Sequence, residues 1–128
     1  MAWSNRAFIL GGEVVLINAD CTVYEKDTFI RHFIPGIYWN DSRGRTVAKN
    51  GVQIADSVIV YIYSDEYIPK AGDIIVKGNV DYTFDASTQQ AASASMRSFR
   101  ESYPQYAVCK NVNDARYGGL SHTEVTAR

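Results

Sequence analysis

The side chains of this chain best suited to acid–base or nucleophilic chemistry are two histidines and two cysteines, and their spacing matches no catalytic or metal-binding motif. His32 and His122 lie far apart, and neither belongs to a His-Glu-x-x-His or mixed Cys/His pattern. A single histidine on a strand is usually structural. Cys21 and Cys109 form no Cys-x-x-Cys pair, so we expect two reduced, partly buried thiols rather than a disulfide or a zinc site.

The acidic and lysine residues near these groups do not complete an active site either. Asp65 and Glu66 are adjacent, so on a strand they would point to opposite faces, and in a turn they would be solvated. Lys110 follows Cys109 and could activate a thiolate, but strand alternation places the two side chains on opposite faces. The chain also lacks a nucleophile elbow, a Walker A loop, a dinucleotide-binding turn and kinase motifs. We therefore predict a protein that is not an enzyme and holds no cofactor or metal.

The composition predicts one mainly β domain over residues 1–128. The 128 residues are 46% hydrophobic and 21% charged, and nine tyrosines contrast with few leucines, so valine, isoleucine and tyrosine form the apolar set. A net charge of −1 argues against a dedicated nucleic-acid or anionic-membrane binder. No apolar run is long enough to cross a bilayer. Arg6 and the apolar residues after it resemble a signal peptide, but Glu13 and Asn18 interrupt the run, so we expect no secretion.

The apolar patterning predicts short strands separated by turns. Strands are expected over 13–17, 21–24, 28–39, 52–63, 72–78, 80–84, 106–112 and 122–127. The segment 28–39 contains Pro35–Gly36, and proline cannot donate to a central ladder, so a bulge, a corner or an edge position is expected there. This order favours a small antiparallel β-barrel or sandwich over a βαβ fold.

One helical lobe is predicted late in the chain, over residues 86–102. Ser87 can cap the helix, several alanines favour it, and Pro104 ends it. Its apolar content is low, which indicates a surface helix or a partly disordered lobe.

The segment 58–63 alternates two apolar sets, which are Val58, Val60 and Ile62 on one face and Ile59, Tyr61 and Tyr63 on the other. Because both faces are apolar, neither is expected to face bulk water. The first set can fill a barrel core. The second can pack under the 86–102 helix or form a subunit interface, where tyrosine is enriched. Stacking of bases is a further alternative, but the surrounding segment has no lysine or arginine to bind phosphates.

A locally basic loop is predicted over residues 40–51, between two of the best strands. Its notable residues are Arg43, Gly44, Arg45 and Lys49, with one acid, Asp41. Glycines permit unusual backbone angles, and the cations suit contact with an anion. The same composition fits an ordinary solvated hairpin loop.

The order of motifs resembles a family of small phage proteins from the head–tail morphogenesis cluster of tailed phages and prophages of Gram-positive bacteria. The similarity runs from about Ile17 to the C-terminus, and its sharpest parts are INADCTVY, a Trp…Gly…Gly–ADSV spacing and GDIIVKG. Family members tend to end in a histidine–tryptophan strand, whereas here Thr123 follows His122. The layout is also similar to the head-closure, or stopper, proteins of long-tailed phages.

The resemblance implies a ring-forming β-barrel of about six copies between the portal–adaptor complex and the tail. The protein would then reside in the virion after assembly in the bacterial cytoplasm, without contact to a membrane. In such rings a loop projects into the channel and helps to retain the packaged double-stranded DNA, without reading its sequence. A tail terminator or tail-completion ring is the alternative within this class, and a single-strand nucleic-acid-binding barrel is the alternative from another class.

The resemblance also implies roles for particular residues. The DNA-channel loop would comprise Arg43, Gly44, Arg45 and Lys49, and the subunit interface would comprise Ile59, Tyr61 and Tyr63, with Phe29, Phe33 or Tyr38 as further anchors. Structural roles are expected for Trp39 in the core beside the loop base, and for Gly72 and Asp73 at the start of the GDIIVKG motif.

Overall fold

The computed structural model describes residues 6–10, 13–43, 56–115 and 122–128. Within these ranges the chain forms eight strands and one helix. In order they are β1 (Arg6–Leu10), β2 (Glu13–Ile17), β3 (Ala19–Tyr24), β4 (Arg31–Asp41), β5 (Val58–Ile62), β6 (Ile74–Lys77), α1 (Gln89–Ser102), β7 (Ala107–Ala115) and β8 (His122–Ala127).

Strands β3 to β8 close into a barrel. The strand order around it is β3-β4-β5-β8-β7-β6, and every neighbouring pair is antiparallel. Closure leaves no strand of the barrel with an unpaired edge. The prediction of a mainly β antiparallel barrel or sandwich with one short helix late in the chain is therefore confirmed, and of the two architectures the structure is the barrel.

The barrel interior is filled by alternate residues of its strands. Val58, Val60 and Ile62 of β5 are fully buried there, as predicted from their spacing. Trp39 is 5% exposed and belongs to the same core, together with both cysteines. Burying each aliphatic side chain of this size contributes about 1.5–3 kcal/mol relative to leaving it in water.

The helix covers the outer face of β3 and β6. Phe99 of α1 is fully buried against Tyr24 and Val76, and its ring lies 5.7 Å from the Tyr24 ring. The helix begins at Gln89 with Thr88 as its N-cap, whose hydroxyl accepts the Ala91 N–H at 3.0 Å. The predicted cap, Ser87, is wrong, because that hydroxyl instead donates to Asp85 Oδ1 at 2.7 Å.

The extended segment after β6 is not a strand, so the predicted strand at 80–84 is wrong. Side chains replace the ladder here: Val80 N–H donates to Thr22 Oγ1 at 2.9 Å, and Tyr24 Oη donates to Tyr82 O at 2.7 Å. Arg31 Nε also donates to Val80 O at 2.6 Å. Periodicity indicates an extended backbone, but it does not indicate whether the hydrogen bonds of that backbone will be made with main-chain or side-chain groups.

Strand β1 was not predicted, and it pairs only with β2, as a separate antiparallel hairpin. The hairpin is joined to the barrel where β2 meets β4, and Tyr63 Oη donates to Leu16 O at 3.2 Å. The Leu16 side chain is 50% exposed.

A bulge where β3 pairs with β4 depends on Asn18 and Asp20. Ala19 pairs with Ile37 but Cys21 pairs with Ile34, so β4 holds one extra residue at Pro35–Gly36. The bulge expected there is confirmed, and β4 continues through it. Gly36 has φ +67, a left-handed conformation that glycine adopts without strain, and its N–H donates to Asp20 Oδ1 at 3.0 Å.

The side-chain amide of Asn18, the residue before β3, also binds the main chain of β4. Trp39 N–H donates to Asn18 Oδ1 at 2.7 Å, and Asn18 Nδ2 donates to Trp39 O at 3.0 Å. The side chain therefore satisfies both backbone groups of Trp39, in place of a neighbouring strand.

Replacing Asn18 with alanine should lower the free energy of unfolding by about 1–3 kcal/mol, because both main-chain groups of Trp39 would lose their partner. Urea unfolding of Asn18→Ala measures this loss. Asn40→Ala is the matched control, because Asn40 is an exposed amide on the same strand as Trp39. It should change stability by less than about 0.5 kcal/mol. Equal stabilities of the two variants would contradict the assignment.

Candidate functional site

The predicted channel loop leaves the barrel between β4 and β5, and two serines close its base. Ser42 donates to Ser57 O twice, from its N–H at 2.9 Å and from Oγ at 2.8 Å. Arg43 lies directly after this closure. Gly44, Arg45 and Lys49, the other residues assigned to the loop, lie outside the described residues.

Arg43 is bound to the protein itself through most of its guanidinium donors. Nε and Nη2 donate to the two oxygens of the Asp41 carboxylate at 3.1 and 2.8 Å. Nη1 donates to Tyr106 O at 2.6 Å, and Nη2 also donates to Gln105 O at 2.5 Å. Arg43 thus ties the end of β4 to the residues between α1 and β7, which positions the start of the loop.

The same contact controls the ionisation of Asp41. The hydrogen bond from Arg43 lowers the pKa of the Asp41 carboxyl, and partial burial opposes this to a smaller extent. A carboxyl whose pKa is lower in the folded state stabilises the fold above its unfolded-state pKa. That contribution is lost as the pH falls through the folded-state pKa.

Arg43→Met keeps the aliphatic stem but removes every hydrogen bond of the guanidinium, so it should lower the free energy of unfolding by about 1–2 kcal/mol at pH 7. The loss should be smaller at a pH below the lowered folded-state pKa of Asp41, where protonation removes the charge of that carboxylate. Urea unfolding at both pH values measures it, with Arg97→Met on the exposed surface of α1 as the control. If both variants lose the same small amount, Arg43 does not act as an anchor.

The outward positions of β4, β5 and β8 form a second candidate site, which we call the tyrosine face. It consists of Tyr38, Ile59, Tyr61, Tyr63, His122 and Glu124, all of them partly exposed. The strand register places Tyr38 beside Tyr61, and Tyr61 beside Glu124.

Ring contacts join the members of the tyrosine face. The rings of Tyr38 and Tyr61 stack, with centroids 5.8 Å apart and an angle of 21° between the ring planes. The Tyr61 ring also contacts the His122 ring edge-on, with centroids 5.4 Å apart. Tyr63 lies beyond the end of β5 and is 6.4 Å from the same histidine. Partial burial raises the pKa of Tyr63. The structure therefore places Tyr61 and Tyr63 on one surface, around His122. Of the three further anchors named from the sequence, Tyr38 lies on this surface beside Tyr61.

The tyrosine face does not lie under the helix, so that alternative is wrong. Helix α1 packs on β3 and β6, which are opposite β8 and β5 in the barrel order. Phe29, another anchor considered for this face, instead stacks on Phe84 at 4.5 Å beside the helix. The subunit-interface role of Ile59, Tyr61 and Tyr63 stays a prediction.

Asp73, for which the sequence predicts a structural role, lies at the centre of a polar cluster whose other members the sequence did not reveal. The Asp73 carboxylate is 2% exposed and accepts hydrogen bonds from Lys26 N–H (2.9 Å), Lys70 N–H (3.0 Å) and Tyr67 Oη (2.6 Å). Gly72 precedes it with φ +98, and a Cβ there would lie 2.6 Å from Lys26 Cδ. The glycine and the aspartate of the GDIIVKG motif therefore fold the connection before β6 onto the end of β3.

Tyr67 links this cluster to a hydrogen-bonded histidine and glutamate. Its ring stacks on His32 with centroids 3.7 Å apart, and His32 Nε2 lies 2.6 Å from Glu25 Oε2. Burial, followed by the hydrogen bond to Asp73, raises the pKa of Tyr67. A phenol that is so difficult to ionise is not a general base, and each group already has a structural partner. Within the described ranges, no cluster of histidine, cysteine and acidic residues could hold a metal ion.

Both cysteine thiols lie in the barrel core. Burial, and next the negative charge of Asp73, raises the pKa of Cys109 to about 12. Burial also raises the pKa of Cys21, and the neighbouring Cys109 adds to the effect. These thiols stay protonated at neutral pH, which is the opposite of an activated nucleophile. The expectation of two thiols without a disulfide agrees with the structure, but both are fully buried rather than partly buried.

Alkaline pH should destabilise the protein through these thiols. A group whose pKa is raised by folding stabilises the fold below its unfolded-state pKa, and this contribution is lost as the pH rises through the folded-state pKa. For Cys109 the window runs from 9.0 to about 12. Each thiol should lower the free energy of unfolding by up to about 1.4 kcal/mol per pH unit there.

Urea unfolding under reducing conditions at pH 8, 9, 10 and 11 tests this dependence. Cys21→Ala/Cys109→Ala should start less stable, because small cavities form, but should lose less stability as the pH rises. The tyrosines with raised pKa values remain in both proteins and act as an internal control. Parallel curves for the two proteins would contradict the prediction.

The fold and these sites define a small, closed antiparallel β-barrel with one covering helix and a partly exposed aromatic face. Residues 16–128 match the model of a family described as a family of unknown function, DUF6751, and the chain belongs to that family. No curated protein and no solved structure was found to match the chain. No helix in the described part of the chain is long and apolar enough to cross a membrane.

Proposed function

We propose that this protein is a non-enzymatic structural protein of a phage head–tail junction, of the head-closure type, and that it acts as a ring. The observation that carries the proposal is the tyrosine face. Tyr38, Tyr61 and His122 form a connected aromatic surface on a barrel that is already closed, so these rings are not needed to complete the core. Partly exposed aromatic clusters of this kind are typical of protein interfaces.

The polar groups of the described chain support a structural role. His32, Tyr67 and Asp73 bind one another or their neighbours, and their contacts hold the end of the barrel together. The Cys109 thiol is protonated and inaccessible. The resemblance in motif order then favours the head–tail junction as the place of action.

The arrangement around Arg43 refines how a channel loop would work. Because Arg43 is bound to Asp41 and to two carbonyl groups, contact with DNA is assigned to Arg45 and Lys49. In a symmetric ring, these two charges from each of about six copies would together form a ring of positive charge around the channel. Its hold on the phosphates would weaken as salt rises and would carry no sequence preference.

Electron microscopy of particles from an induced lysogen that lacks the gene tests the proposal. Heads that have lost or retained DNA, beside normal-length unattached tails, are the expected result. Normal heads with tails of irregular length would instead identify a tail terminator. Normal complete phages would contradict any structural role at the junction. Oligonucleotide binding by the isolated monomer that is lost in Tyr61→Ala would favour the single-strand-binding alternative.

The loop assignment has its own test. Arg45→Glu/Lys49→Glu should leave the melting temperature unchanged but should make filled heads release DNA before tails attach, because phosphate would be repelled. Nuclease-accessible DNA in purified heads measures the release. The control is Lys70→Glu/Lys77→Glu, which changes the same charge at exposed positions elsewhere. Equal DNA retention in the two double variants would remove the loop from the mechanism.

A further inference from the structure

Two exposed surfaces of different chemistry lie on opposite sides of the barrel. The tyrosine face is centred on β5 and β8, whereas α1 covers β6 and β3. In the closed order β3-β4-β5-β8-β7-β6, β5 is opposite β6 and β8 is opposite β3. The outer side of the helix and the tyrosine face therefore point in opposite directions.

The charges of these two surfaces are complementary. Glu124 is the only carboxylate of the tyrosine face, no lysine or arginine belongs to that face, and Glu124 forms no ion pair with any described residue. The outer side of α1 exposes Arg97 and Arg100, and they too form no ion pair within the described ranges. The helix also exposes one acid, Glu101, which leaves it with a net positive charge.

The outer side of α1 also leaves room for the side chains of a partner. Small side chains on the outer side of α1 leave an open depression lined by Gln89, Gln90, Ser93, Ala94 and Arg97. Aromatic rings are partly exposed on the opposite side of the barrel. Arginine beside a tyrosine ring adds a cation–π attraction, so Arg97 can interact with both Glu124 and Tyr61. A helix of 14 residues is about 21 Å long, enough to span the three strands of the tyrosine face.

We infer that the ring contact is head-to-tail: the exposed side of α1 of one copy docks on the tyrosine face of the next copy, with Arg97 and Arg100 against Glu124. The inference rests on the proposed function, since it names the partner of the tyrosine face as a second copy of this chain. Because the two surfaces differ and lie on opposite sides, each copy presents one of them to each neighbour. Contacts of this kind generate closed rings, or filaments where the rotation does not close.

Charge reversal on each surface tests the inference, with assembly measured by sedimentation velocity over a range of concentrations. Glu124→Arg alone and Arg97→Glu/Arg100→Glu alone should each weaken self-association by at least about tenfold, because like charges then meet at every contact. An equimolar mixture of the two variants should assemble like the wild type. In the mixture the unchanged helix of one variant docks on the unchanged Glu124 of the other. The charge-reversed helix docks on the Glu124→Arg face, so both contacts again pair opposite charges.

The possible outcomes distinguish failure of the helix contact from failure of the proposed ring. Lys70→Glu/Lys77→Glu is the control for a change in net charge and should assemble normally. If the wild type forms rings and Arg97→Glu/Arg100→Glu does so equally well, the helix contact is overturned and the proposed ring stands. If the wild type stays monomeric up to millimolar concentration, both are overturned.

Cysteine cross-linking gives a second measurement that does not depend on the strength of assembly. The native cysteines are 0% and 1% exposed, so engineered thiols on the two surfaces can react selectively. Glu124→Cys copies mixed with Ser93→Cys copies should form mixed covalent dimers under mild oxidation, whereas Glu124→Cys mixed with Lys77→Cys should not. Equal yields in the two mixtures would contradict the docking.

Discussion

Closure of the barrel is the constraint on which the rest of this structure depends. Each of its six strands hydrogen-bonds with two neighbours, and the pairing of β3 with β4 accommodates one extra residue of β4 at Pro35–Gly36. Asn18 and Asp20 lie beside this bulge, and their side chains supply hydrogen bonds that a regular ladder would have provided. Bulges permit a sharper local twist at the corners of small barrels.

Closure also determines where function can lie. With no free strand edge in the barrel, partners can reach only the outer faces of strands, the helix, the hairpin and the loops. Aromatic residues of α1 and of the segment after β6 cover the outer face of β3 and β6, while Tyr38 and Tyr61 remain partly exposed on the other side. The barrel thus has one side closed by its own chain and one side open to a partner.

Alternation predicted the buried set Val58, Val60 and Ile62, because a period of two is a local property of an extended chain. The order of the segments favoured an antiparallel barrel or sandwich, and closure into a barrel was decided by the tertiary structure. The Asp73 cluster was not predictable in this way. The donors to its carboxylate come from Lys26, Tyr67 and Lys70, and their meeting depends on how two loops fold over one end of the barrel. The role of Arg43 was equally hidden, since its carbonyl partners at Gln105 and Tyr106 are distant in the sequence.

The sequence by itself determined most of the extended segments, though not β1, and it determined the helical segment and the apolar residues of each predicted strand, since these follow from side-chain type and spacing along the chain. Only the tertiary structure decided which outer face the helix covers. The tyrosines of 58–63 and the rings around Tyr24 are similar in composition, and both could have accepted an apolar helix face. The deciding factor is strand order: α1 lies between β6 and β7 in the chain, so Phe99 packs on the outer face of β3 and β6 and leaves β5 and β8 uncovered.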